Sequence, residues 1–136
     1  MTTLTPTPAS ISERTLTSRR LASLRSRLEH ELAQAHELES ELREEVLSSL
    51  ESRRDTRTDD AGDPENATLA FEGAQTSAML AQTTGHAAEI RAALERIELG
   101  TFGACTNCGG QIGAARLDAR PASALCIDCA NSRWDR

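Results

Sequence analysis

Gly103-Ala104-Cys105-Thr106-Asn107-Cys108-Gly109-Gly110 and, further on, Leu125-Cys126-Ile127-Asp128-Cys129 hold all 4 cysteines of the 136-residue chain. They fall as two Cys-x2-Cys pairs with seventeen residues between Cys108 and Cys126. A Cys-x2-Cys turn aims both sulfurs at one centre, and two such turns facing each other supply the tetrahedral thiolate set that zinc favours. Gly103 before the first pair and Gly109-Gly110 after it suit turns that need positive φ. The spacing therefore predicts one structural Zn2+ held by Cys105, Cys108, Cys126 and Cys129. With four thiolates no coordination position stays open for catalysis. Two disulfides or a redox-active Cys-x-x-Cys are the competing readings. The first suits secreted chains, and Met1-Thr2-Thr3-Leu4 is not read as the start of a secretory signal. The second belongs in a βαβ setting that the sequence lacks.

Working outward, the segment 101–136 is too short to stand on an apolar core, since units below about 40 residues need a metal or cross-links. The chain as a whole is poor in aromatics, with two Phe, one Trp and no Tyr, and rich in Leu, Ala, Glu and Arg. That is the composition of long helices. The net charge is −6, and all 15 basic residues are Arg, a balance that disfavours broad affinity for nucleic acid phosphates. No apolar run approaches the roughly 20 residues that span a bilayer. A cytoplasmic location and no membrane association are expected.

Residues 1–9, with Pro6 and Pro8, read as a disordered tail. Ser10 and Glu13 have the form of a capping box, so a helix is expected over 10–57. Leu21, Leu24, Leu28, Leu32, Ala35, Leu38, Leu42, Val46 and Leu50 recur at gaps of three or four and form its apolar stripe. Gly62, Pro64 and the Asp and Asn residues around them are turn chemistry, giving an acidic tip at 58–67. A second helix is expected over 68–99, with Leu80, Thr83, Ala87, Ile90, Leu94 and Ile97 alternating as a coiled-coil seam and Gly100 as its stop. Two stripes with no other partner bury each other, which predicts an antiparallel hairpin over 10–100. Counting from the turn puts Leu50 near Glu72. The fold class is thus mainly α: a long antiparallel coiled-coil hairpin with a small C-terminal four-cysteine zinc-finger module over 101–136. Ile11 to Arg20 and Trp134 are expected to pack beside that module.

The run Ile97-Glu98-Leu99-Gly100-Thr101-Phe102-Gly103-Ala104-Cys105 is followed by Cys108-Gly109, Ile112, Arg116-Leu117, Ala119-Arg120-Pro121 and Leu125-Cys126-Ile127-Asp128-Cys129. Over about forty residues this resembles the DksA/TraR zinc-finger family, and the preceding hairpin agrees with it in layout. The resemblance implies a bacterial transcription regulator that binds RNA polymerase directly and inserts its coiled-coil tip into the secondary channel. The family's tip pattern is Asp-x-x-Asp-x-Ala; this chain has Asp60 and Asp63 at the acids and Glu65 at the alanine, so Asp60, Asp63 and Glu65 are the expected tip contacts. Arg116 and Arg120 are the expected zinc-loop contacts, and Arg116 and Arg120 also offset the negative charge of a four-thiolate zinc site. Some relatives use a basic residue on the second helix to bind the alarmone guanosine tetraphosphate; Glu89 stands there, so weak or absent alarmone dependence is expected.

A four-cysteine DNA-binding finger is the alternative from another class. Against it, the segment 101–136 has four Arg and three Asp, no basic patch for duplex DNA. A hairpin adaptor for some other protein is a third reading. His30, His36 and His86 lack ligand spacing, and neither a nucleophile-base pair nor a phosphate-binding glycine loop occurs, so no enzyme activity is expected. The chain is expected as a monomer, although a coiled-coil stripe can also pair with a second copy.

Overall fold

The computed structural model describes residues 16–56 and 64–134, and only the backbone of Thr56 and Trp134. These residues form helices α1 (Ser18–Thr56), α2 (Pro64–Leu99), α3 (Ala114–Ala119) and α4 (Ile127–Trp134). The only pairing outside helices among the described residues is an isolated antiparallel bridge between Ala104 and Gln111. The expected mainly α class is observed, with two long helices and a C-terminal four-cysteine cluster.

The helix ends correct the expected boundaries. α1 begins at Ser18, where the Thr17 hydroxyl accepts the Arg20 amide at 3.2 Å and caps the helix. The Ser10–Glu13 box and the tail lie outside the described residues. α2 begins at Pro64, four residues before the expected Thr68. Proline lacks an N–H and has a helical φ, so it opens a helix as readily as it marks a turn. Thr68 then donates its hydroxyl to the Pro64 carbonyl at 3.2 Å. At the far end Gly100 takes φ 77°, and the Thr101 amide reaches the Arg96 carbonyl at 2.9 Å. That is the left-handed stop expected of this glycine.

The chain divides into two compact units, one containing residues Glu31–Ala88 and the other the remainder. In the first, α1 and α2 run antiparallel. Ser49 Oγ lies 3.0 Å from where a Cβ on Gly73 would sit, and the Thr76 hydroxyl oxygen lies 3.3 Å from the Glu45 carboxylate. The expected offset, Leu50 near Glu72, agrees with this register. The expected stripe does not hold along its whole length: Leu38 and Leu50 are 41% and 48% exposed, whereas Glu39 is buried. A stripe averaging 3.6 residues per turn drifts round the helix relative to a partner, while a paired seam keeps 3.5. Ala35, Glu39, Leu42, Val46 and Ser49 follow that tighter alternation and are the buried or half-buried positions. Gly73, Thr76, Leu80, Thr83 and Ala87 line the α2 side. The seam is thus narrow and partly polar. Thr76 and Thr83 satisfy their hydroxyls on the carbonyls four residues back, Glu72 and Met79.

The second unit has the denser core. Leu28, Ile90, Ala93 and Ile97 are buried where α1 and α2 meet. A second cluster of Leu24, Cys105, Ile112 and Leu117 joins α1 to the cysteine module, with Leu16, Phe102 and Leu125 packed on it. Leu16 therefore does what was expected of the stretch preceding α1, covering the module beside Gly103. The Trp134 side chain lies outside the described residues. Two polar contacts add to this junction: Arg20 pairs with the Asp118 carboxylate, and Arg27 donates to the Asp118 carbonyl at 2.6 Å. The second satisfies an acceptor at the end of α3 that the helix itself leaves open.

Candidate metal centre

The first knuckle is a tight hairpin. The Cys105 amide bonds the Gly110 carbonyl at 2.7 Å, and the Ile112 amide bonds the Gly103 carbonyl at 2.9 Å. Gly103 and Gly109 take φ of 92° and 74° to close it, conformations that a residue with a Cβ rarely adopts. The second knuckle runs straight into α4, where the Ala130 amide bonds the Cys126 carbonyl at 2.9 Å. Thr106 ties the two together, its amide and hydroxyl both reaching the Ala124 carbonyl at 2.9 and 3.2 Å.

All four sulfurs lie within 4.8 Å of one another, and Cys108 Sγ is 3.8 Å from Cys126 Sγ. A tetrahedron with zinc–sulfur bonds of about 2.3 Å has edges of about 3.8 Å, whereas a disulfide would bring two sulfurs to about 2.05 Å. The cysteines are free thiols. The disulfide reading is therefore set aside, and the donor set fits one tetrahedral zinc ion. Cys105 is buried inside the apolar cluster while Cys108 is exposed, so one face of the centre is dry and the other meets water.

As free thiols Cys105 and Cys129 titrate far apart. Backbone amides, that of Cys108 first and then that of Cys126, hold the Cys105 thiol down to about 6. At Cys129 the strongest influence is Asn107, whose amide favours the thiolate. The neighbouring thiols, Cys126 foremost, together with burial outweigh it and push Cys129 up to about 12. A bound dication overrides both, since a coordinating thiol gives up its proton.

Residues 100–133 match the family described as the prokaryotic dksA/traR C4-type zinc finger. The module over these residues is thus a zinc finger of the dksA/traR C4 type. Forty-one residues are 49% identical to the RNA polymerase-binding transcription factor DksA of Haemophilus influenzae and equally to that of Escherichia coli K12. The aligned part is 30% of this chain and 28% and 27% of those relatives, so well under a third of their length is matched. Buchnera aphidicola DksA is 46% identical over the same length. A structure of transcription factor DksA2 from Pseudomonas aeruginosa superimposes with a TM-score of 0.48 at 22% identity, covering 82% of this chain and 85% of that one. Cys105, Cys108, Cys126 and Cys129 are the four cysteines of this C4-type finger, close enough together to hold one zinc ion.

The other expected site residues separate. Asp60 and Asp63 lie outside the described residues. Glu65 is exposed in the first turn of α2, where its charge complements the helix dipole. Arg120 is exposed at the end of α3. Arg116 is half-buried and faces inward, its Nε donating to the Leu125 carbonyl at 2.9 Å and to Ser123 Oγ at 3.2 Å. It therefore braces the residue just before Cys126, a role beyond offsetting the charge on the sulfurs. Sequence reasoning also missed Arg20, Arg27 and Asp118, which meet across more than 90 residues with no local signature. His30, His36 and His86 are exposed, and the cysteines are the metal-competent cluster found among the described residues.

Proposed function

We propose that this chain is a bacterial transcription regulator that binds RNA polymerase directly, its zinc module holding the base of the hairpin. The observation that carries this reading is the 49% identity of the module to relatives named RNA polymerase-binding transcription factors. In detail, the hairpin enters the polymerase secondary channel and the tip acids Asp60, Asp63 and Glu65 act near the active site. Carboxylates there can perturb the catalytic magnesium region or the mobile elements around it. Arg120, exposed and outside the bracing network, docks on the polymerase, whereas Arg116 contributes by holding the knuckle. No resident catalytic chemistry is needed, because the effect is exerted on another enzyme's active site.

The decisive experiment joins binding to effect. A photocrosslinker at position 60 should capture purified cognate polymerase, and capture should fail after zinc removal. Asp60→Asn with Asp63→Asn should leave binding intact and abolish the change in promoter-specific transcription. An unchanged effect at equal occupancy would remove these acids from the mechanism. Retention on DNA without polymerase, falling steeply with salt, would favour the DNA-binding alternative; binding to neither would leave an adaptor for another protein.

A further inference from the structure

The two knuckles are not equivalent in how their sulfurs are supported. In the first, the backbone serves a sulfur: the Gly110 amide points at Cys108 Sγ from 3.4 Å. Such support comes with the turn and hardly depends on side chains. Cys129, in the second knuckle, receives a side-chain donor from the other one: Asn107 Nδ2 lies 3.3 Å from Cys129 Sγ, 22 residues away in sequence. A cavity of about 300 Å³ lined by Thr106, Asn107, Leu125, Cys129, Ser132 and Arg133 opens beside this sulfur. The other hydroxyls around it are directed elsewhere, Ser132 to the Cys129 carbonyl and Thr106 to the Ala124 carbonyl. Asn107 is thus the lining side chain whose bond ends on the sulfur.

We propose that Asn107 is a positioning residue of the zinc centre, bonding the cavity-facing sulfur of Cys129 and thereby setting how readily competing small ligands displace that cysteine. An N–H···S bond draws charge from a thiolate, fixes the direction of its lone pairs and occupies the side from which a competitor would approach. Partners that orient metal ligands in this way are typically worth 10–100-fold in metal affinity. The inference does not depend on polymerase binding: it concerns this chain's own residues around a C4 centre.

The test uses the full zinc-loaded chain and the chromogenic chelator 4-(2-pyridylazo)resorcinol. Asn107→Ala should release zinc about 10–100-fold faster or with correspondingly weaker affinity, and Asn107→Gln, which keeps the amide, should recover part of the loss. Ser132→Ala alters the same cavity without touching the sulfur and should release zinc at the parental rate. In the cobalt-substituted protein the sulfur-to-metal charge-transfer band should move to longer wavelength in Asn107→Ala, which a merely structural role would not cause. Release within twofold of the parent, an unmoved band, or equal acceleration by Asn107→Ala and Ser132→Ala would each overturn the proposal.

Discussion

Arg96 offers the sharpest stability test. It lies in the last turn of α2, and its Nε and Nη2 are sealed from water with no hydrogen-bond partner among the described residues. Burial accordingly pulls its pKa below the ordinary guanidinium value. A buried donor left unsatisfied costs about 1–3 kcal/mol. Two such atoms would suggest more, but the side chain as a whole is only half-buried, and water screens part of the charge. A cation in the last helical turn also gains about 0.3–1 kcal/mol from the dipole. The balance is a net cost of about 1 kcal/mol. Arg96→Met keeps the apolar stem and removes the unpaired nitrogens, so the zinc-loaded protein should gain about that much. In urea, with a slope of about 1–3 kcal/mol per molar, the midpoint should rise by about 0.3–1 M. Zinc must be held in constant excess, since bound metal shifts the midpoint by mass action. A midpoint that falls in Arg96→Met would show that the guanidinium is compensated and that the reasoning fails.

Gly85 sits inside α2 with nothing within 4 Å of where a Cβ would stand, so Gly85→Ala should stabilise by about 0.8–1 kcal/mol in the same titration. At Gly73 the same helix gain is opposed by Ser49 Oγ at 3.0 Å; Gly73→Ala should gain less than Gly85→Ala, and Ser49→Ala added to it should restore the difference. Arg116→Ala should cost about 1–3 kcal/mol and loosen zinc, because it removes the charged donor to the Leu125 carbonyl beside Cys126 and leaves that carbonyl only the Ser123 hydroxyl, whereas Arg120→Ala should leave stability unchanged and weaken only polymerase capture. Leu117→Ala, which empties a fully buried position between α1 and the knuckle, should cost about 2–5 kcal/mol by calorimetry of the zinc-loaded chain.

The zinc centre was readable because ligand identity and spacing are local and few other chemistries use them. The hairpin register was readable too, since the turn fixes the count: Ser49 meets Gly73 within one position of the expected pairing. What escaped depends on partners. Whether Leu38 or Glu39 enters the seam is decided by the small difference in period between a lone helix and a paired one, which no window of a single helix records. Pro64 carries the same signal for a turn and for a first helical position. The bracing bond from Arg116 to Leu125 left no signal because its acceptors, Ser123 and Leu125, are neutral and leave no charge pattern. Asn107 had no signal beyond lying between two cysteines.

Helix α1 is uninterrupted from Ser18 to Thr56, yet its neighbours change along its length. Near Leu24 and Leu28 it is enclosed by aliphatic groups and the metal module; past Glu39 its seam is made with Leu80, Thr76 and Gly73. Amides in one continuous helix should therefore exchange with deuterium on two distinct clocks, slowly around Leu28 and quickly around Val46. Such a gradient would let the outer turns adjust to whatever surface receives them while the inner turns keep their shape.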